Sequence, residues 1–283
     1  MKVISDPHEL QALGLSMRFS GLTTALVPTM GFLHAGHKSL LLAARERADK
    51  VILSIFVNPV QFGPGEDLEA YPRDLERDLK TAGEAGVDFV FTPKPEAMYL
   101  PDEPAIWVEA PTLAQHLCGI SRPTHFRGVC TVVLKLFNLC LPTLALFGEK
   151  DWQQLAIIKA MARGLNLPVQ VEGCPIVREA DGLALSSRNA YLTPDLRAQA
   201  PHIFKGLKLA ETLFTQGEHD PARLKEAVLA YWQEHLPEGE PEYLEFVDPV
   251  RIEPVKDVRG KTLAATAVRL GGARLIDNLL LNA

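Results

Sequence analysis

This chain has no apolar stretch long enough to cross a membrane, because its most hydrophobic run, residues 129–147, is interrupted by Lys135, Asn138 and Pro142. Its N-terminus also lacks a basic region leading into an apolar core, so no signal peptide is expected and the protein is expected in the cytoplasm. Positive charge is in deficit: 29 Lys+Arg against 35 Asp+Glu leave a net charge of -6. A broad basic face for nucleic-acid phosphates is thereby excluded, and any anion site must be local. Cysteine is sparse as well. Cys118, Cys130, Cys140 and Cys174 show neither a CxxC nor a Cys/His zinc spacing, and they read as reduced core residues rather than a disulfide frame. Internal repeats and low-complexity tracts are missing, and 47% hydrophobic with 23% charged residues is an ordinary globular composition, which removes collagenous, coiled-coil and wholly disordered readings. At ~150 residues per domain, 283 residues make roughly two domains.

From residue 23 to 173, β-branched and aliphatic runs alternate with helical segments. Strands are expected over 24–27, 51–57, 87–91, 143–147 and 168–172, and helices over 36–49, 74–84, 129–139 and 151–163. Continuously apolar strands alternating with helices are what a parallel sheet covered on both faces requires, so the first part is expected to be a doubly wound α/β domain. The last third differs. Helical periodicity over 196–215 and 222–235 gives way to short strands over 243–247, 263–270 and 273–277, the last pair turning at Gly271-Gly272. This is the pattern of a smaller α+β domain. The expected division, near Pro175, is 1–176 and 177–283. Within the first part, the composition of 62–72, with Gly63, Pro64, Gly65, Glu66, Asp67 and Pro72, marks a mobile loop rather than an element.

The most informative segment is Pro28-Thr29-Met30-Gly31-Phe32-Leu33-His34-Ala35-Gly36-His37, between the first of these strands and the long helix that follows. In an open α/β sheet the carboxyl ends of the strands flank the ligand crevice, and a helix starting there aims unpaired N–H groups and its positive end at it. An anion is the natural guest. Gly31 and Gly36 permit close backbone approach, while His34 and His37, three apart, point the same way from the first helical turn. A helix N-terminus disfavours extra positive charge, so both imidazoles are expected to be largely neutral and to serve as hydrogen-bond donors to developing negative charge. The alternative is a turn carrying two satisfied surface histidines. The phosphate loop GxxxxGK[ST] fails by one residue, since His37 stands where its lysine belongs and Lys38-Ser39 come one place late.

Three further segments carry polar groups of the right kind. In Gly148-Glu149-Lys150-Asp151-Trp152-Gln153-Gln154, Lys150 could neutralise a phosphate and Asp151 could hold a divalent metal or a ribose hydroxyl, yet Asp151-x-x-Gln154 is also a capping box that merely starts a helix. In Asp181-Gly182-Leu183-Ala184-Leu185-Ser186-Ser187-Arg188-Asn189, two hydroxyls and a guanidinium could clamp a triphosphate, or the segment could be a Ser/Asn-rich turn. In Asn58-Pro59-Val60-Gln61-Phe62, Gln61, like Gln154, would bring a neutral amide able to bind hydroxyl and carboxylate groups without itself being acylated. Arg122 and Arg127, flanking Pro123-Thr124-His125-Phe126, are anion contacts or ordinary surface cations.

Taken together, and with the terminal Ala273-Arg274-Leu275-Ile276-Asp277-Asn278, these six segments occur in the order found in the pantothenate synthetase (pantoate:β-alanine ligase) family, of the His-x-Gly-His nucleotidylyltransferase-like superfamily, which the chain resembles over almost its whole length. The resemblance implies a Rossmann-like doubly wound domain followed by the smaller α+β lid domain. It also implies a cytoplasmic ligase of pantothenate biosynthesis, in the coenzyme A pathway, that joins (R)-pantoate to β-alanine through pantoyl adenylate, releasing pyrophosphate and then AMP. By that resemblance ATP lies along Met30, Gly31, His34, Gly36 and His37, with Gly148, Lys150, Asp151, Val177, Leu185, Ser186, Ser187 and Arg188. His37 is the proton donor and His34 its phosphate-binding partner, and Lys150, Ser187 and Arg188 complete the catalytic set. Gln61 and Gln154 hold pantoate, Gln61 also meets β-alanine, and Asn58 and Arg122 lie with them. Magnesium accompanies ATP, its ligands unassigned, and members are homodimers joined through the N-terminal domain. Ala35 stands where many members carry an acidic residue and Thr124 where some have glycine, so neither receives a role. The rivals are an adenylyltransferase acting on a phosphorylated substrate and a non-catalytic adenine-nucleotide-binding module.

Overall fold

A computed structural model describes residues 1–282 of the chain. In chain order the elements are β1 (Lys2–Ile4), α1 (Pro7–Phe19), β2 (Thr24–Thr29), α2 (Ala35–Arg47), β3 (Lys50–Ile55), α3 (Leu75–Glu84), β4 (Phe89–Phe91), α4 (Pro95–Met98), α5 (Cys118–Ser121), α6 (His125–Cys140), β5 (Leu144–Gly148), α7 (Trp152–Gly164), β6 (Gln170–Cys174), α8 (Pro194–Gln199), α9 (His202–Thr215), α10 (Pro221–His235), β7 (Gly239–Val247), β8 (Thr262–Leu270) and β9 (Ala273–Leu281). They fall into two compact units. One comprises Met1–Pro111, Arg122–Glu149 and Ile157–Pro175; the other comprises Thr112–Ser121, Lys150–Ala156 and Ile176–Ala283.

The first unit is Rossmann-like: a six-stranded sheet, every pairing parallel, in the order β1-β4-β3-β2-β5-β6. The run Ala25–Leu26–Val27 of β2 and the run Val51–Ile52–Leu53 of β3 are fully buried, as strands covered on both faces must be. On one face Val27, Val51, Leu53 and Val90 pack with Leu41 and Ala44 of α2 and Ala82 of α3. The strand order runs outward from β2 in one direction and from β5 in the other, so the topological switch point lies between these neighbours. Their pairing is short. Only Ala25↔Leu144 and Leu26↔Ala145 are in register, while β2 stays paired with β3 as far as Thr29. Pro28, which has no N–H to give a ladder, therefore sits beyond the point where β2 and β5 part.

In the second unit β7, β8 and β9 form an antiparallel meander, closed by the two-residue turn Gly271-Gly272 between the paired Leu270 and Ala273. Leu207 of α9 and Val228 and Trp232 of α10 are buried against Leu244, Phe246 and Val268 of its strands.

Two expectations need correction. The single helix over 196–215 is two, α8 and α9, because Pro201 has no N–H to continue the ladder and instead caps the second helix at φ -61. Residues 1–22, for which the sequence suggested no elements, hold β1 and α1. The helix start is marked there by Asp6, whose side chain accepts from the N–H of His8, followed by Pro7 at the first helical position. β1 is only three residues long, too short for a period to be read.

Candidate active site

The loop leaving β2 adopts a conformation that few residues tolerate. Gly31 has φ 83 and Phe32 φ 52, both left-handed, and a Cβ on Gly31 would meet Asp78 Oδ2 at 2.9 Å and Ile55 Cγ2 at 3.0 Å. What holds this turn is a carboxylate. Asp78, buried in the first turns of α3, accepts from the N–H of Phe32 at 2.7 Å and of Leu33 at 2.6 Å. Burial raises the Asp78 pKa above the ordinary carboxylate range, and the two backbone donors offset part of that rise. Thr29 Oγ1 accepts from the Gly31 N–H at 3.2 Å and donates to the Ser54 carbonyl at 2.8 Å, tying the loop to β3.

His34 and His37 then cap α2 reciprocally. Nδ1 of His34 accepts from the Gly36 N–H at 3.1 Å, and Nδ1 of His37 accepts from the His34 N–H at 3.3 Å. Their ring centroids are 4.0 Å apart. This corrects the expectation of unpaired backbone donors at the helix start, since the N–H groups of Gly31, Phe32, Leu33, His34 and Gly36 all have acceptors within the unit. The correction strengthens the imidazoles. A nitrogen that accepts a hydrogen bond carries no proton, so in each ring the N–H is on Nε2, and the ring donates from there. Gly148 ends β5, the strand beside β2, and has open space where a Cβ would be.

A second cluster of the same unit surrounds the short turn Pro59–Gln61. Asn58 and Gln61 are buried, and Asn58 Nδ2 donates to Gln61 Oε1 at 3.1 Å and to the Gly128 carbonyl at 3.2 Å. Gln61 Nε2 points to Met30 Sδ at 3.2 Å, which brings the sequence-flagged Met30, Asn58 and Gln61 together. Arg122 joins them differently. It reaches the Gln61 carbonyl at 3.3 Å, but its guanidinium is gripped by both oxygens of Glu66, at 2.6 and 2.7 Å. Burial works to raise the Glu66 carboxyl, and the Arg122 bonds outweigh it and hold the group below its usual range. Arg122 thus pins the 62–72 loop rather than standing as an uncompensated cation, and Arg127 lies against Trp107, 4.9 Å from the ring centroid. One residue missed by sequence reasoning belongs here, Tyr99, whose hydroxyl donates to Asn58 Oδ1 at 2.8 Å and which no local spacing marks. His125, which stands in the Arg122–Phe126 segment without an assigned role, meets the Gln61 carbonyl through Nδ1 at 2.9 Å. Asp78 did leave a signal: it lies on the helix face of Ala82, four residues on, where an apolar side chain is the rule.

The second unit carries its own set. Val177 and Leu185 are joined by a backbone bond of 3.0 Å across a hairpin that turns at Asp181-Gly182, so Val177 lies beside the start of the Leu185–Arg188 segment. Ser186 Oγ accepts from the Arg188 N–H at 3.2 Å and caps the turn Ser187–Tyr191. Arg178 anchors that hairpin. Its guanidinium donates to Gly182 O at 3.1 Å, lies 3.5 Å from the Phe204 ring centroid, and grips the buried Asp277 at 2.6 and 2.8 Å. The next residue, Asn278, donates to the Lys150 carbonyl at 3.0 Å. The terminal Asp277-Asn278 pair of β9, to which no role was given, thus braces both the Lys150 segment and the Val177–Leu185 hairpin. Burial lowers the Lys150 pKa to about 8; Asp277 and Asp151 work to raise it, and Arg188 and Arg178 to lower it. Asp151 Oδ1 accepts from the Gln154 N–H at 3.2 Å, so the capping alternative is realised there, and Gln153 is spent on Leu113 O, His116 O and the Cys118 N–H.

Residues 2–280 match the sequence pattern of the family described as pantoate-beta-alanine ligase. A pantothenate synthetase of Oleidesulfovibrio alaskensis is 59% identical over 281 residues, which span 99% of this chain and 100% of the relative. A solved pantothenate synthetase from Thermus thermophilus is similar with a TM-score of 0.91 at 44% identity, covering 99% of both chains. A pantoate-β-alanine ligase from Francisella tularensis, crystallised with β-γ ATP and β-alanine, gives a TM-score of 0.82 at 31% identity over 99% of this chain and 97% of that one.

Proposed function

The chain belongs to the pantoate-β-alanine ligase family, and from that premise we propose that it condenses (R)-pantoate with β-alanine, using ATP, to make pantothenate. A carboxylate oxygen of pantoate attacks the α-phosphorus of ATP. The bond to the bridging oxygen breaks, pyrophosphate leaves, and pantoyl adenylate remains. The amine of β-alanine then adds to the acyl carbon, AMP departs with the electron pair of the C–O bond, and the nitrogen loses its extra proton.

The observation that carries the division of labour is the imidazole pair at the start of α2, beyond the carboxyl end of β2, with both Nδ1 atoms accepting from backbone N–H groups, which leaves Nε2 of each ring as the donor. In this reading His37 donates to the leaving phosphate oxygens and His34 binds beside it. Lys150, Ser187 and Arg188 compensate the charge that grows on the phosphorus oxygens, where fixed donors act most strongly. Met30, Gly31, Gly36 and Gly148, and Asp151, Val177, Leu185 and Ser186, are the remaining nucleotide contacts. Gln61 and Gln154 receive pantoate, Gln61 also β-alanine, with Asn58 and Arg122 behind them. Residues 1–176 bind the reactants and 177–283 act as the lid, with 62–72 shielding the mixed anhydride from water.

Among the described residues no three acidic, histidine or cysteine side chains converge to cage a metal. Magnesium in this reading travels on the nucleotide phosphates, as that ion commonly does, and no step is assigned to it. No described helix is long and apolar enough to span a membrane, and all four cysteines are buried free thiols, which suits the reducing cytoplasm in which we place the enzyme, as a homodimer.

The test is isotope exchange. Pantoate alone should support exchange of labelled pyrophosphate into ATP, and AMP should appear only when β-alanine is added. Folded protein that shows no exchange refutes the adenylate route, and a product that keeps its AMP after β-alanine is added points instead to an adenylyltransferase.

A further inference from the structure

We propose that Tyr99 is a positioning residue for the substrate acid: with the Gly128 carbonyl, its hydroxyl holds in place the Asn58 amide that turns the amino end of Gln61 toward the ligand. The inference rests on the assignment of Gln61 to pantoate made above.

The two ends of an amide side chain have nearly the same shape and opposite hydrogen-bonding sense, so only neighbours whose own sense is unambiguous can orient it. The chain of contacts begins with one that is. The Gly128 carbonyl can only accept, so the Asn58 atom 3.2 Å from it is the amino nitrogen. Asn58 Oδ1 is thereby turned to Tyr99, whose O–H donates at 2.8 Å. Burial pushes the Tyr99 pKa far above the usual tyrosine range, so the hydroxyl keeps its proton at any working pH. The second amino hydrogen of Asn58 goes to Gln61 Oε1 at 3.1 Å. Asn58 is buried, with 1% of its surface exposed, and its two N–H groups and its carbonyl all have partners, so its polar atoms serve orientation rather than contact.

What emerges at the end is the Gln61 amino group, held toward Met30 Sδ at 3.2 Å, a weak acceptor that an oxygen of a ligand would outcompete. Gln61 is thus presented as a donor, and the atom it reads on the acid is an acceptor, a carboxylate or hydroxyl oxygen. Tyr99 is suited to removal of its oxygen alone. Its ring lies 6.5 Å from that of Phe56 and 5.9 Å from the Lys135 ammonium, contacts that phenylalanine keeps.

The experiment is a double-mutant cycle read in steady-state kinetics. Tyr99→Phe should raise the KM for pantoate about 3- to 10-fold, the size of one neutral hydrogen bond, with kcat and the KM for ATP little changed. In a Gln61→Ala background the same substitution should change nothing further, because its effect passes through the missing amide. A second variant, Asn58→Asp, places a pure acceptor opposite Gln61 Oε1 and should invert the Gln61 amide, raising pantoate KM more than Tyr99→Phe does. If Tyr99→Phe fails to fold, Tyr99→Met, which also removes the hydroxyl while filling much of the ring's space, replaces it in the same cycle with Gln61→Ala and is read in the same way. An active wild type with unchanged pantoate KM in the variants, or additive effects in the cycle, overturns the inference and leaves the ligase reading standing. Loss of pantoate-dependent exchange in the wild type itself would instead remove the reading beneath it.

Discussion

Asp78 makes the sharpest demand on the account, because it touches no proposed substrate and yet sustains the geometry of the loop that carries both histidines. Replacing it with alanine removes two charge-assisted bonds, to the N–H groups of Phe32 at 2.7 Å and Leu33 at 2.6 Å. Each is worth about 1.5–3 kcal/mol gross. Burying the carboxylate carries a cost of its own, visible in the raised Asp78 pKa, and that cost vanishes with the side chain. The net loss expected for Asp78→Ala is therefore about 2–4 kcal/mol. Asp78→Asn keeps one acceptor but turns an amino group on the other backbone donor, and should lose about 1–3 kcal/mol. Function should suffer beyond stability. Phe32, at φ 52, holds a left-handed conformation whose intrinsic cost is about 1–2 kcal/mol, and without the carboxylate it has reason to relax. His34 and His37 follow two and five residues later, and a displacement of ~1 Å at reacting groups can cost about 100-fold in rate. Urea denaturation gives the first quantity and pantoate-dependent pyrophosphate exchange the second, measured where each variant is fully folded. An alanine variant within ~0.5 kcal/mol of wild type with an unchanged exchange rate would show that Asp78 does not hold the histidine loop.

Two other outcomes are expected. Gly128→Ala would put a Cβ 2.6 Å from the Val60 carbonyl oxygen and 2.7 Å from Gln61 Cα and N, backbone atoms that cannot turn aside, so α6 must shift off the Pro59–Gln61 turn. The cost should be about 1–3 kcal/mol in thermal unfolding, with pantoate KM rising more than ATP KM; equal rises would contradict the placement. For Lys150, whose pKa burial lowers to about 8 from an ordinary 10.5, the cationic form fades as pH rises through 8, and ATP-dependent activity should fall with it. Bound phosphates favour the cation, so ATP binding near pH 8 should take up protons in calorimetry performed in buffers of different ionisation enthalpy. The sign for stability is opposite: between about 8 and 10.5 the unfolded chain binds more protons at this lysine, so its contribution to folding grows with pH across that window. A flat activity profile from pH 7 to 9.5, together with no proton uptake, would remove the lysine's charge from the mechanism.

Much of this is legible in the sequence alone. Strands such as Val51–Ile52–Leu53 are apolar without alternation because both faces are covered, and that pattern alone calls for a parallel sheet with helices on either side. The His34-Ala35-Gly36-His37 turn could be put at a helix start because strand, loop and helix signals follow one another along the chain. The hairpin at Gly271-Gly272 was equally plain, since a two-residue turn needs residues free to adopt positive φ. Residues 1–22 escaped because β1 is too short for a period, and the break between α8 and α9 because helical spacing over 196–215 runs on past Pro201.

Which residues carry charge and amide groups, and in what order, is thus a property of the sequence, because periodicity and turn chemistry act over a few neighbours. Which groups are already spoken for is decided only by the fold. Asp78 is 46 and 45 positions from the N–H groups it holds, Glu66 is 56 from the Arg122 it neutralises, and Asp277 is 99 from Arg178. No local rule reaches that far. A carboxylate looks the same in the chain whether it will be solvated or buried against a backbone donor, and only packing tells the two apart.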